Sequence, residues 1–192
     1  MKKLLSLLLC LALLLPVMAL AETATTAERQ VVDFGDFTIG LLEGDLYEVA
    51  DEKTSNALYA IVYPAYDETA TSHENFNIVW SAEDASPVIA LYGAETYAQL
   101  LMQSYQAQYE AMGIKMTDGQ VLSARFEDNT GVFLTFANLD YTGMGYDLVS
   151  PVYQMQVYAC DSEEGTYIFT FTATDLEALE ALSSYLDYIE FK

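Results

Sequence analysis

The chain has 192 residues, and its 29 acidic residues outnumber seven Lys and Arg residues to give a formal net charge of −22 at pH 7. A charge this negative repels phosphate backbones and anionic lipid headgroups, so we expect neither nucleic-acid binding nor electrostatic docking to a membrane. The acidic residues are scattered along the chain, which is typical of a soluble surface. The same charge opposes self-association, and we therefore expect a monomer.

The first 21 residues have the pattern of a secretory signal peptide. Lys2 and Lys3 give a basic start, residues 4–15 form an apolar run, and Ala19-Leu20-Ala21 is a small-x-small cleavage site. The apolar run is too short to span a bilayer comfortably, so we expect cleavage near Ala21. The mature protein would then be secreted or extracytoplasmic, and its five cations against 29 acids would give a net charge of −24.

After the signal peptide, the sequence predicts a flexible leader and one domain. Residues 22–30 are polar without an apolar period, as expected of a disordered leader, and residues 31–192 show no linker that would divide them. Only Cys160 would remain after cleavage, so no intramolecular disulfide can form. We expect a structural role for Cys160, because no Lys, Arg or His near it in sequence would lower its pKa.

In the first part of the domain, the sequence predicts strands followed by one long helix. Residues 31–42 indicate a hairpin whose turn is Gly35-Asp36, and strands are predicted over residues 56–63 and 76–80. A helix is predicted over residues 95–112, with Gly113 just beyond its end. Its apolar stripe, which we expect to pack against a sheet rather than to bind a ligand, comprises Tyr97, Leu101, Tyr105, Tyr109 and Met112.

The second part predicts two hairpins and a closing helix. Strands are expected over residues 120–126 and 132–139, and again over residues 153–160 and 166–173. Thr174 to Glu177 has the form of a capping box before the helix. The apolar face of that helix is formed by Leu176, Leu179, Leu182 and Leu186. The predicted fold class is therefore α+β, an antiparallel β-sheet covered by two amphipathic helices.

The order of these elements resembles the PsbP-like superfamily, which includes the extrinsic P subunit of photosystem II and a Ran-binding nuclear transport protein. The resemblance is carried by Gly35-Asp36-Phe37-Thr38-Ile39, by Asn75-Phe76-Asn77-Ile78-Val79, by residues 165–173 and by the closing helix. Relatives often have a Pro and a Trp after the first hairpin, where this chain has Leu46 and Tyr47. The resemblance implies an α/β/α sandwich that acts as a non-catalytic binding module, and bacterial members of this kind are commonly exported. No binding residue of the superfamily matches closely enough to be assigned here.

Catalytic and metal-binding patterns are weak. The only histidine is His73, and no Gly-x-Ser-x-Gly elbow accompanies it, so a Ser-His-Asp site is not predicted. One His and one mature Cys do not supply a usual zinc site. We predict no metal and no cofactor, with calcium as the alternative at the acidic turns 127–129 and 161–164, neither of which has EF-hand spacing.

The irregular stretch 141–151 is the predicted binding loop. Tyr141 and Tyr146 offer aromatic contact area, Asp147 offers an acceptor, and Gly143 and Gly145 permit unusual backbone angles. The alternative is a loop that only connects two hairpins, with its tyrosines packed onto the sheet edge.

These observations favour an exported, non-enzymatic binding or accessory module of the bacterial cell envelope, with a protein, peptide or glycan as its ligand. The alternative is a secreted acidic hydrolase that uses a carboxylate pair, although no particular pair stands out in a chain with 29 acidic residues.

Overall fold

The β-strands of the computed structural model, which describes residues 28–65, 74–161 and 163–192, form two antiparallel sheets. The strands are β1 (Gln30–Asp33), β2 (Phe37–Leu41), β3 (Leu46–Val49), β4 (Ala57–Tyr63), β5 (Asn75–Ser81), β6 (Lys115–Glu127), β7 (Thr130–Asp140), β8 (Val149–Asp161), β9 (Gly165–Ala173) and β10 (Ile189–Phe191). The larger sheet has seven strands in the order β3-β4-β5-β9-β8-β7-β6, and the smaller has three in the order β1-β2-β10.

Short turns set most of this pairing. Gly35 has a φ of +87° between β1 and β2, and Asp128 and Asn129 have φ values of +48° and +60° between β6 and β7. Two-residue turns of this kind match the twist of antiparallel strands. The predicted hairpins at both turns are confirmed, as is the antiparallel pairing of successive strands.

Three α-helices lie in the described ranges: α1 (Ser86–Tyr92), α2 (Ala94–Ala111) and α3 (Leu176–Ser183). The sequence predicted α2 and α3 but not α1, which has only seven residues and buries only Ile89. One apolar residue in so short a segment gives no helical period. None of the helices in these ranges is long and apolar enough to cross a bilayer.

The seven-stranded sheet is covered on both faces. The smaller sheet and α3 pack on one face through a core rich in phenylalanine, and α1 and α2 pack on the other around a smaller cluster. The largest fully buried side chains of the first face include Phe34, Phe37, Phe76, Phe169 and Phe171. The α+β class with helices on both faces of the sheet is therefore confirmed, and the separate three-stranded sheet is an addition to it.

The start of α3 differs from the prediction by one residue. Asp175, not Thr174, is the N-cap: its backbone is extended, and its carboxylate accepts a 2.8 Å hydrogen bond from the backbone N–H of Ala178. Asp is as good an N-cap as Thr, so both residues fitted the pattern. Leu176 is the first residue of α3 and is 51% exposed, so its predicted place on the buried apolar face is wrong, while Leu179 and Leu182 are buried as predicted.

The end of the chain also differs. The closing helix stops at Ser183, a 3₁₀ turn follows over Ser184–Tyr188, and β10 then pairs with β2, with Ile189 opposite Ile39. The 3₁₀ turn and β10 bury Tyr185 and Ile189 in the phenylalanine-rich core. A three-residue strand has no period that the sequence alone could show.

Several sequence predictions fall on residues outside the described ranges. These are the signal peptide (residues 1–21), residues 22–27 of the leader, and His73. The last two leader residues, Arg29 and Gln30, belong to the fold, since Gln30 begins β1 and Arg29 donates a 2.8 Å hydrogen bond to the carbonyl oxygen of Gly40.

Candidate functional site

The end of α2 forms the base of the predicted binding loop. Gly113 has a φ of +82°, its N–H donates to the carbonyl oxygen of Glu110 at 3.0 Å, and the N–H of Ile114 donates to that of Tyr109 at 2.9 Å. This pair of bonds is a Schellman motif, and Ile114, whose side chain is buried, occupies the position of its apolar residue. The predicted position of Gly113 just beyond the helix is confirmed.

The loop itself is shorter than predicted. It spans residues 141–148, because Val149, Ser150 and Pro151 belong to β8 and pair with β7. Pro is unfavourable inside a sheet because it has no N–H to donate, so Pro151 gives no sequence signal of a strand. Among the described strands only β7 flanks β8 at Pro151, since pairing with β9 begins at Tyr153, and a proline is tolerated at such an edge.

Backbone hydrogen bonds close the 141–148 loop. The N–H of Tyr141 donates to the carbonyl oxygen of Leu148 at 2.9 Å, and the N–H groups of Met144 and Tyr146 donate back to the carbonyl oxygen of Tyr141 at 2.9 and 3.3 Å. Asp140 accepts a hydrogen bond from the backbone N–H of Thr142 at 2.9 Å. Hydrogen bonds from the Thr142 side chain and backbone hold the pKa of Asp140 below its ordinary value. The loop is therefore held by its own main chain.

The three predicted binding residues have different environments. Tyr146 is 63% exposed and Asp147 is also exposed, so both face solvent. Tyr141 is half-buried beside Tyr109, whose pKa is raised by burial and then by this neighbouring phenol. The structure thus brings Tyr146 and Asp147 to the surface and leaves Tyr141 half-buried.

Exposed apolar side chains that the sequence analysis missed lie in the same loop as Tyr146 and at the end of α2, which the loop approaches at Gly113. Met144 and Leu148 are 49% and 51% exposed in the loop, and Met112 is 55% exposed at the end of α2. The prediction that Met112 belongs to the packed stripe is wrong, because Met112 is the C-cap residue and lies beyond the last helical turn. We call Met112, Met144, Tyr146 and Leu148 the loop face.

The remainder of the helical stripe packs as predicted. A cavity of about 10 Å³ remains between α2 and the sheet, beside Tyr105 and Tyr109, and it is no larger than a water molecule needs. Gln156 donates a hydrogen bond to the hydroxyl of Tyr105, and burial raises the pKa of that phenol to about 12. These contacts fix this side of α2 on the sheet, and the cavity beside Tyr105 and Tyr109 is too small for a ligand.

Cys160 lies under α1 and α2. It is buried with Ile89, Ala98, Phe133 and Tyr158, and burial raises the pKa of its thiol to about 11. A protonated, enclosed thiol is a poor nucleophile, in agreement with the predicted structural role.

The described acidic residues form no group of three or more His, Cys, Asp or Glu side chains that could hold a metal ion. In the turn after β8, the carboxylate of Asp161 accepts hydrogen bonds from the backbone N–H groups of Glu163 at 2.9 Å and Glu164 at 3.3 Å. Burial, and then the nearby carboxylate of Asp175, raise the pKa of Glu74. In this pair of carboxylates, Asp175 already accepts the N-cap hydrogen bond of α3 and so has a structural role.

A cluster that the sequence did not predict joins the two sheets. Lys53 donates hydrogen bonds to the carboxylate of Asp36 and, at 2.9 Å, to the hydroxyl of Tyr167, which itself donates to Asp36. The ammonium group of Lys53 also lies 4.5 Å from the ring centroid of Trp80. The hydrogen bonds from Lys53 and Tyr167 lower the pKa of Asp36. The cluster holds the β1–β2 turn against β5 and β9, which is a structural role.

Comparison with solved structures found the same fold in a distant protein. The chain is similar to the solution structure of cyanobacterial PsbP (CyanoP) from Synechocystis sp. PCC 6803, with a TM-score of 0.54 and 10% sequence identity over 91% of this chain and 99% of that chain. Comparisons with protein-family profiles and with curated proteins found no match. An identity this low is evidence of shared fold alone, and it confirms the resemblance inferred from the order of elements: the chain has a PsbP-like fold.

Proposed function

We propose that the protein is an exported, non-enzymatic binding or accessory module of the bacterial cell envelope, and that its ligand contacts the loop face. The observation that carries the proposal is the 63% exposure of Tyr146 on a loop closed by its own backbone hydrogen bonds. A fixed backbone loses little conformational entropy on binding, and tyrosine supplies a large contact area with few rotatable bonds.

The neighbouring side chains suit such a contact. Met112 and Met144 are flexible and polarisable, so they adapt to an irregular apolar surface, and Leu148 extends the same face. Asp147 follows Tyr146 and adds an exposed acceptor at the rim. A small apolar face with a polar edge is the usual composition of a recognition surface.

Export is supported by the signal-peptide pattern of residues 1–21. The non-catalytic character is supported by the superfamily resemblance and by the weakness of every catalytic pattern in the sequence. The monomeric state is supported by the large negative charge of the chain.

Screening the purified protein on a glycan array and a peptide array tests the proposal, followed by Tyr146→Ala against the strongest hits. We expect Tyr146→Ala to weaken binding about tenfold or more while the melting temperature stays within about 1 °C. Tyr92→Ala is the matched control, because Tyr92 is a 52% exposed tyrosine on α1. Equal binding by wild type and Tyr146→Ala would show that the ligand lies elsewhere.

A separate assay addresses the hydrolase alternative. The same protein is incubated with glycan, ester and peptide substrates, and we expect no turnover above buffer. Turnover that disappears in Glu74→Gln, with the fold retained, would contradict the non-enzymatic proposal.

A further inference from the structure

A second candidate site lies on α2, away from the loop face. A cleft of about 500 Å³ runs between the helix and the first half of β6, and Glu95, Gln99, Gln103 and Asp118 are among its lining residues. The loop face adjoins the C-terminal end of α2, whereas this cleft follows its N-terminal and middle turns. The two surfaces can therefore be tested independently.

One wall of the cleft carries amide side chains. Gln99 and Gln103 are four residues apart on α2, so they lie one above the other on the same helical face. Each amide offers both a donor and an acceptor, which is the hydrogen-bonding inventory of a peptide group. A row of such side chains suits the main chain of an extended peptide.

The other wall is an edge strand. β6 pairs with β7 on one side, and no strand within the described ranges pairs with its other side. The pairing of β6 with β7 is interrupted between Thr117 and Gln120, where Asp118 has a φ of +54°. This bulge takes Asp118 and Gly119 out of register with β7 at the position where the strand lines the cleft.

The negative charge of the cleft and of the whole chain favours a positively charged ligand. The carboxylates of Glu95 and Asp118 both line the cleft, and a chain with a net charge of −22 attracts cations over a long range. Asn138 donates a 2.9 Å hydrogen bond to Asp118, which orients that carboxylate. The helical segment 95–106 is about 16 Å long, which matches about five residues of an extended chain.

We propose that this cleft binds an extended peptide segment of about five residues that carries Lys or Arg side chains. The amides of Gln99 and Gln103 contact its main chain, and Glu95 and Asp118 contact its cationic side chains. The ligand of the loop face can be unrelated, so failure of either proposal leaves the other standing.

Fluorescence anisotropy with the fluorescein-labelled peptide Lys-Ala-Lys-Ala-Lys tests the proposal at about 150 mM salt, where long-range attraction is screened. We expect Glu95→Gln/Asp118→Asn to weaken binding about tenfold or more. Asn tolerates a positive φ, so Asp118→Asn keeps the bulge. Glu52→Gln/Glu180→Gln removes the same charge from exposed positions elsewhere and is the control, expected to change affinity less than about threefold.

A substitution that leaves the net charge unchanged separates specific binding in the cleft from general electrostatic attraction to the acidic surface. Gln99→Ala/Gln103→Ala leaves the net charge unchanged and is expected to weaken peptide binding about fivefold or more. When the peptide is added to the wild-type protein, we expect NMR shift changes confined to α2 and β6. Equal weakening by both charge-neutralising pairs, shift changes scattered over the acidic surface, or no binding would overturn the proposal. Binding of a chito-oligosaccharide in the cleft without binding of the peptide would also overturn it.

Discussion

Gly143 lies against the carbonyl oxygen of Gly113, so close that a Cβ atom added to Gly143 would be 2.5 Å from that oxygen. This contact joins the 141–148 loop to the end of α2 through two backbone segments. A backbone oxygen cannot rotate away as a side chain can, so the contact fixes the position of the loop face.

The first prediction is that Gly143→Ala displaces the loop. The added methyl group must push the loop away from Gly113, and we expect a loss of about 1–3 kcal/mol in the free energy of unfolding, measured with urea. Met144→Ala is the control, because Met144 is exposed and its backbone hydrogen bond remains; it should change stability by less than about 0.5 kcal/mol. A Gly143→Ala variant as stable as wild type would mean that the loop is not held at Gly113.

The second prediction concerns Arg29, which ties the start of the domain to its end. Its guanidinium carbon lies 3.8 Å from the ring centroid of Tyr188 and 4.7 Å from that of Tyr185. Its hydrogen bond to the carbonyl oxygen of Gly40 extends the contact to β2. We expect Arg29→Ala to lower the free energy of unfolding by about 1–2 kcal/mol.

Arg29→Lys is the matched variant for this contact, because it keeps the charge but removes the planar group that stacks on the rings. We expect it to recover less than half of the loss. A lysine variant as stable as wild type would show that charge, rather than stacking, accounts for the contribution of Arg29.

The third prediction is a pH dependence at Asp36. Hydrogen bonds from Lys53 and Tyr167 lower its pKa below the ordinary value of 3.8, so the folded state releases this proton more readily than the unfolded state. The resulting stabilisation is present above the unfolded pKa and is lost as pH falls through the lower folded pKa. Its size stays below about 1 kcal/mol, because the Asp36 side chain is 45% exposed and solvent screens the pair.

Unfolding of wild type and Asp36→Asn should therefore be compared from about pH 7 down to about pH 2. We expect wild type to be more stable at neutral pH and the difference to shrink below about pH 4. Asp51→Asn, which removes a charge from an exposed loop position, is the control. A difference that stays constant over the whole range would contradict the assigned pKa shift.

The sequence predicted those parts of the fold that short-range patterns determine. Glycines and asparagine at turns, and alternating apolar residues in strands, specify local geometry, so the hairpins at Gly35 and Asp128 were predicted correctly. Helix α1 and strand β10 depend on tertiary contacts instead. Ile89 and Ile189 are single buried residues in short segments, and burial of one residue leaves no periodic signal.

The candidate sites show the same division. The irregular loop around Tyr146 was recognisable because it lacks any period and contains glycines. The partial burial of Tyr141, by contrast, depends on how the loop lies against α2. The cleft beside Gln99 was not predictable either, because it is formed by a helix and an edge strand whose relative position only the packed sheet defines.

The last prediction concerns the reactivity of Cys160. Burial raises the pKa of its thiol from the ordinary value of 9.0 to about 11, so at pH 8 its thiolate fraction is about a hundredfold lower than that of a free cysteine. Only 7% of the residue is exposed, which limits the access of a reagent further.

We expect a thiol reagent such as 5,5′-dithiobis(2-nitrobenzoic acid) to label native Cys160 at least about a hundredfold more slowly than the urea-unfolded protein. Peptide mass spectrometry distinguishes a label on Cys160 from one on Cys10, and Cys160→Ala supplies the baseline without a label at position 160. Rapid stoichiometric labelling of Cys160 in the native protein would show that the packing of α1 and α2 opens readily, and the structural role assigned to this thiol would then be wrong.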